Sequence, residues 1–329
     1  MNALELQEMR GPAKAARERP TLRRKIRVGE FIAETVVKVV ALASIVAVLL
    51  ILVFVGREAL PLIASIDVHE EVTLGALFSP HETAGYMWQP VSEVPKYSAM
   101  PLFLGTLKVT LIALVVSVPL SVGAAVYVAE FAGKKAREIV KPAIELLSGI
   151  PSVVIGFFAL IVLATAVQKV FGTEHRLNAL VAGIALAITV CPIVFSVSED
   201  ALRAVPGSYR MAALGLGSTP SQTLFRVVLP AAAPGIAASV VLGFGRAIGE
   251  TMIVVLASGN AAIFNADIGT STRTVTATIA QELGEVVVGS PHYHVLFALG
   301  AVLFLSTLGV NLVGERIVHG MRRKLRGAA

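Results

Sequence analysis

The sequence predicts an all-α, polytopic membrane protein of about six transmembrane helices. Three observations carry that prediction. Hydrophobic residues make up 55% of the 329-residue chain and charged residues only 15%, against roughly 25% charged in ordinary globular chains. The apolar residues gather into six runs, each long enough for the ~20 residues of helix that a hydrocarbon core requires. Basic residues concentrate in alternate connecting segments, the pattern that sets membrane topology. Helices follow from the solvent, because lipid offers no partner to a bare backbone amide or carbonyl.

Residues 1–34 carry eight Lys/Arg and five Glu ahead of any apolar run and read as a basic cytoplasmic tail. The charged stretch is too long for a cleavable secretory leader. A first transmembrane helix is expected within 35–56, its apolar run over 36–55, with Lys38 snorkelling from its end. Residues 57–101 hold Tyr86, Trp88 and several prolines and read as an irregular external loop. The further spans are expected at 102–129, 143–170 (interrupted by Gly149 and Pro151), 178–197, 231–257 and 295–318. Residues 102–320 then form the core, with a cytoplasmic loop at 198–230, and 321–329 form a C-terminal tail. Segment 258–291 is rich in Ser, Thr and Gly, and its middle, 272–285, suits a short helix.

Charge fixes the expected orientation. Segments 130–142, 198–230 and the stretch from Glu315 onward hold four, three and five Lys/Arg, whereas 57–101 holds two against six Asp/Glu and 258–291 holds only Arg273. Both termini are therefore expected in the cytoplasm. The net charge of +6 lies on segments that touch anionic lipid. No groove-reading element accompanies it, so nucleic-acid binding is excluded. The single cysteine, Cys191, makes neither an internal disulfide nor a metal site and reads as a buried structural thiol.

The loop at 198–230 is too long and too well punctuated for a plain connector. Pro206-Gly207 ends the fourth span. Ser208 is expected to cap a short helix over 209–214, ended by Gly215 or Gly217. Thr219 restarts the chain, with Pro220 at the first helical position and Gln222 closing a capping box. Pro230 marks the start of the fifth span. Ala212, Ala213, Gly215 and Gly217 give the first helix a smooth face for a partner.

The fifth span carries Arg246 and Glu250, four residues apart, hence on one helix face and able to pair. Gly245 and Gly249 form a small-x-x-x-small spacing for helix packing. Charges at this depth are costly, which leaves two readings, a structural ion pair or an anion relay in which the Arg fork meets phosphate or sulfate oxygens. Lys108, near the outer end of the second span, either snorkels to the interface or attracts an anion. His292 and His294 lack a third metal ligand nearby.

These motifs resemble a known family. Ala212-Ala213, Gly217 and Val227-Val228-Leu229-Pro230 resemble the EAA signature of importer-type ABC permeases, except that Met211 stands where that family usually has Glu. Gly245-Arg246-Ala247-Ile248-Gly249-Glu250-Thr251-Met252, followed by Ser258-Gly259-Asn260, resembles the C-type permease subunit of phosphate-specific ABC importers. Gly105-Thr106-Leu107, Val118-Pro119-Leu120-Ser121 with Gly123, and the stretch from Ile144 to Ser152 agree, so the resemblance covers about 100–318.

The resemblance implies an importer-type permease fold in a bacterial inner membrane, with alternating access for inorganic phosphate. It implies that Ser208, Met211, Ala212, Ala213, Gly217, Leu229 and Pro230 belong to the ATPase-coupling region, and that Arg246 and Glu250 lie on the phosphate path. The implied partners are a second homologous permease, two copies of a cytoplasmic ATPase and an external phosphate-binding protein. The chain itself has no nucleotide-cradling Gly-x-x-x-x-Gly-Lys-Ser/Thr and no nucleophile–base pair, so it is expected to be no enzyme and to hold no cofactor, with ATP and Mg on the ATPase. An oxyanion such as sulfate or molybdate, an ion-driven secondary transporter and a non-transporting scaffold remain as alternatives.

Overall fold

The computed structural model describes residues 28–327, apart from 66–67, 69–70 and 82–84. Most of the expected N-terminal tail, 1–27, and the last two residues lie outside the described residues. Among the described residues, six helices are long and apolar enough to cross a membrane. The chain divides into two compact units, with the boundary between Ile51 and Leu52.

In the first unit the described residues belong to helix α1 (Val28–Ala59), which starts seven residues ahead of the expected boundary. Side chains 31–51 are all exposed. A helix that is apolar all round and buries nothing against its own unit is built for lipid or for a helix of another chain.

In the second unit the chain continues through α2 (Pro61–Ala64) and a two-stranded antiparallel ribbon of β1 (Trp88–Gln89) and β2 (Lys96–Tyr97). The segment expected to be an irregular loop is therefore partly ordered. Trp88, Tyr97, Leu62 and Leu77 are buried in one cluster with Leu102, Val295 and Leu299. The second span is α3 (Met100–Val126), closed by a π-turn at Tyr127–Phe131.

The third span is shorter than expected. Residues 134–147 form a separate helix, α4 (Lys134–Leu147), with no fully buried residue, and the turn at Ser148–Ile150 breaks the chain before Pro151. The span itself runs from Ser152 to Phe171 as α5 (Ser152–Phe158), a π-turn at Ala159–Leu163 and α6 (Ala164–Phe171). Pro151 cannot donate and biases Ile150 away from helix, which favours a break between the two helices here.

The fourth span, α7 (Ala179–Arg203), is the most enclosed of the six. It runs six residues beyond its expected end. The connection that follows is α8 (Gly207–Gly215), then a continuous helix of α9 (Pro220–Thr223), a π-turn at Leu224–Val228 and α10 (Leu229–Ile248). Pro230 therefore does not open the fifth span, which reaches back to Pro220. The π-turn sits just ahead of Pro230, where the missing N–H would otherwise leave the ladder one bond short. After a break come α11 (Met252–Ala257), α12 (Val275–Glu282) within the expected 272–285, and the sixth span α13 (Pro291–Gly327).

α4 docks on α7 by charge. The Lys141 ammonium donates to Glu199 at 2.8 Å, and Glu199 is completely buried while Lys141 is partly exposed. Arg203 stands 3.2 Å from the other Glu199 oxygen. The hydrogen bond to Glu199 holds the Lys141 pKa above its ordinary value. A raised Lys contributes its stability below the unfolded value and loses it only as pH rises through the folded one, so this tie is intact at neutral pH.

Glycines set the closest approaches. A Cβ at Gly105 would strike the backbone carbonyl of Arg273, one at Gly235 the Cβ of Ala201, and one at Gly314 would come within 2.6 Å of Val241.

Two predictions follow from this packing. Gly105→Ala forces backbone apart and should cost about 1–3 kcal/mol, lowering the temperature at which purified protein in detergent leaves the monodisperse peak. Gly123→Ala meets nothing within 4 Å and should not. Lys141→Met leaves the buried Glu199 carboxylate with only the half-exposed Arg203 and should destabilise by about 1–3 kcal/mol, while adding Glu199→Gln should recover much of the loss. Equal melting of Lys141→Met and wild type would show that the pair holds nothing.

Candidate functional site

The functional region is built where the fifth span stops. α10 ends at Ile248, Gly249 is its cap, and α11 begins only at Met252. The backbone freed at the break is paired from elsewhere. Thr276 Oγ1 donates to the Glu250 carbonyl at 2.9 Å, and Thr251 N donates to the Glu250 carboxylate at 3.3 Å. Thr276 is in place because α12 is itself pinned. Thr274 caps it by accepting from Ala277 N, and Val275 N donates to Thr106 Oγ1 of α3 at 3.1 Å.

This break corrects the expected Arg246–Glu250 pair. With the helix ended at Ile248, the four-residue spacing no longer places both side chains on one helical face. Among the described residues the two form no ion pair, and the Arg246 side chain has no hydrogen-bond partner. Arg246 is exposed in the last turn of α10, and Glu250 is half-buried. A cation in that position is favoured by the helix C-terminus and keeps its full fork of donors for an anion.

The expected Gly245–Gly249 packing stripe is also corrected. Gly245 faces Asn311 of α13, 3.6 Å from where a Cβ would stand, but Gly249 lies outside the helix. Close helix contact is made by Gly243 against Val190 and Val194, and by Gly235 against Ala201.

Lys108 does not snorkel to the interface. It is buried, and its Nζ donates to the carbonyls of Asn265 at 2.8 Å and Asp267 at 3.1 Å. It ties down the segment after α11. The same segment supplies the carbonyls of Ile268 and Thr270 to the amides of Leu180 and Ala179, while Asn178 accepts from Val181 N, so the start of α7 is satisfied too. Gly259 and Asn260 adopt positive φ of 84° and 57° to make the turn, and Asn260 Nδ2 donates to Val255 O at 2.6 Å.

A second polar knot surrounds Glu282, which accepts from Trp88 Nε1, lies 2.9 Å from Arg273 and pairs with His292 Nε2 at 2.9 Å. His294 bonds instead to the Glu58 carbonyl, so the two histidines serve different partners. Burial and the neighbouring Glu71 carboxylate push the Tyr97 phenol up and keep it protonated. A surface cavity of about 790 Å³ opens beside Trp88, Arg273 and Glu282, and neither Arg246 nor Glu250 lines it. Cys191 is half-buried and unpaired.

At the other end, α8 differs from expectation in three respects. Pro206 is its N-cap, so Ser208 lies inside the helix and makes no cap hydrogen bond. Position 211 is then too far along the helix for a capping box, and Met211 points out. The outward face is also bulkier than expected, with Tyr209, Met211, Leu214 and Leu216 exposed while Ala213 is buried. The end of the helix is as its glycine suggests. Gly217 has φ of 84°, its N–H donates to Leu214 O, and Ser218 N donates to Ala213 O, the two bonds of a Schellman motif. The capping box of Thr219 and Gln222 is present in full. Leu229 and Pro230 lie within the fifth span.

The sequence reading missed what holds α8. Arg210 makes a two-pronged contact with Glu130, at 2.6 and 3.3 Å, and donates to the carbonyls of Val205 at 2.6 Å and Leu202 at 2.9 Å. Arg137 of α4 donates to the carbonyls of Val128 and Ala129, in the same π-turn that carries Glu130. Residues 130, 137 and 210 registered only as loop charges in the sequence. A lone Arg just after a Pro-Gly helix stop was the available signal, since the last carbonyls of a helix want a cation.

Comparisons with known proteins agree with this architecture. Residues 117–327 match the family described as binding-protein-dependent transport system inner membrane component. The chain is 34% identical over 235 residues to the probable ABC transporter permease protein YqgH of Bacillus subtilis, covering 70% of this chain and 75% of that protein. It is 34% identical over 280 residues to the phosphate transport system permease protein PstC of Mesorhizobium japonicum, covering 79% and 83%. Similarity to PstC 1 of Mycobacterium bovis is 35% over 249 residues, covering 69% and 74%. Among solved structures, a bacterial alginate ABC transporter in complex with an alginate-bound periplasmic protein superposes with a TM-score of 0.58 at 16% identity, covering 89% of this chain and 97% of that one. The MetNI methionine ABC transporter, in inward-facing form, gives 0.51 at 18%, covering 68% and 94%. With six apolar helices, a matching family over most of its length and relatives above 30% identity, this chain belongs to the binding-protein-dependent transport system inner membrane components.

Proposed function

We propose that the chain is the transmembrane permease subunit of an ATP-driven importer for inorganic phosphate, with phosphate passing Arg246. The observation that carries this reading is the unpaired Arg246 guanidinium at the broken fifth span, beside Glu250. Relatives named as phosphate transport permeases support the cargo. A guanidinium matches tetrahedral oxyanion geometry with two parallel donors. Glu250 places a carboxylate next to the path, where it accepts from a protonated phosphate oxygen and repels an anion that has no proton to give.

In this reading both termini and α8 lie in the cytoplasm, in line with the basic segments. α8 fits a groove on a cytoplasmic ATPase, with Tyr209, Met211, Leu214 and Leu216 facing it, and two ATPase copies, a second homologous permease and an external phosphate-binding protein complete the machine. ATP and Mg belong to the ATPase. This chain contributes positioning and a path, and no bond is made or broken on it. Lys108 spends two of its three donors on backbone carbonyls and serves first to hold the segment after α11.

Proteoliposomes holding this chain with its partner permease, ATPase and binding protein should take up labelled phosphate only with ATP. Arg246→Ala should lower that uptake about tenfold to a hundredfold, the worth of a charge-assisted hydrogen bond, with the complex still assembled. Excess sulfate or molybdate should not compete. Uptake without ATP would reject the ATP-driven reading, and competition by sulfate would change the cargo.

A further inference from the structure

We propose that Arg210 is the positioning residue that makes α8 move as one body with the second and fourth spans. The inference rests on the ATP-driven reading above, because it needs a force applied to α8. α8 has nine residues and only one buried side chain, Ala213. A single methyl group gives little apolar area to hold a helix in place, and Met211, Leu214 and Leu216 face outward. Arg210 is instead the side chain of α8 that faces inward on the chain's own charges.

The geometry is that of a pin through three elements. One edge of the guanidinium takes both oxygens of Glu130, in the π-turn that ends the second span. The remaining donors take the carbonyls of Leu202 and Val205, at the end of the fourth span. The last carbonyls of a helix favour a cation, and both charged groups are mostly buried, with 26% and 15% of their side chains exposed. Glu130 does not swing freely, since Arg137 holds the carbonyls of Val128 and Ala129 beside it. A push on α8 is therefore delivered to two spans through one planar fork. Lysine in place of Arg210 reaches one partner at a time and cannot reproduce the fork.

The test is the ratio of phosphate moved to ATP hydrolysed in the reconstituted complex. Arg210→Ala should leave basal ATP hydrolysis running, uncoupled from transport, and lower that ratio about tenfold. Arg210→Lys should fall between the two, and the isosteric Glu130→Gln should lower the ratio without emptying the site. A ratio equal to wild type in Glu130→Gln and Arg210→Ala overturns the proposal. If Arg210→Ala fails to assemble, a covalent substitute decides the matter. In a Cys191→Ser background, Glu130→Cys with Arg210→Cys, bridged by a short bifunctional thiol reagent, should regain the ratio that the unbridged form lacks. A bridge that stops transport would mean the contact must open in each cycle, which also overturns the proposal. Failure of the phosphate reading looks different. Wild type would hydrolyse ATP and move no phosphate, and the pin would then be read from stimulation of ATP hydrolysis by the binding protein, which Arg210→Ala should abolish.

Discussion

Wherever this chain leaves a helix among its apolar spans, its own side chains must replace water. Most of the features around the candidate site follow from that constraint. The fifth span breaks at Gly249, and Thr276 reaches across to the Glu250 carbonyl. The segment after α11 turns sharply at Gly259 and Asn260, and Lys108, Asn178 and Asn260 satisfy the groups the turn exposes. Gly105 has no side chain because the backbone of Arg273 occupies the space. The result is a helix break held open by neighbours, with the one charged fork at its edge left without a protein partner.

The opposite end is organised by charge rather than by apolar packing. Lys141 and Arg203 neutralise the buried Glu199, Arg137 caps the second span, and Arg210 joins that span, the fourth span and α8. The contacts of Lys141, Arg137 and Arg210 link different elements, so the ends of the second and fourth spans, α4 and α8 form one frame. A surface ion pair would be too weak for this. These are mostly shielded, and several donate to carbonyls that a helix end leaves unpaired. The helix break and the end that carries α8 are thus held by different means in the same chain, the first by hydrogen bonds to backbone and the second by ion pairs.

The sequence disclosed what depends on local chemistry. The six apolar runs, the Thr219–Gln222 capping box, the left-handed Gly217 and the short helix near 272–285 are all decided within a few residues. It did not disclose what depends on distant partners. Arg246 and Glu250 looked like an i, i+4 pair because a continuous helix was assumed, and the helix ends where Thr276, 26 residues on, supplies the bond. Lys108 looked free because its acceptors are 157 and 159 residues away. Ser208 lost its capping role by two residues, since Gly207 itself enters the helix behind Pro206. Residues 143–149 were read as span because their apolar content is high, whereas 143–147 end a separate amphipathic helix and 148–149 lie in the turn that follows it.

The central claim is that the break between Ile248 and Met252 lines the anion's path. It is tested most directly by placing Thr251→Cys in a Cys191→Ser background and timing its reaction with a charged, membrane-impermeant thiol reagent in the assembled complex. The account predicts labelling that occurs during ATP turnover and is slowed by phosphate but not by sulfate. A thiol that stays unreactive through turnover, or that reacts at one rate whether or not phosphate is present, would contradict it.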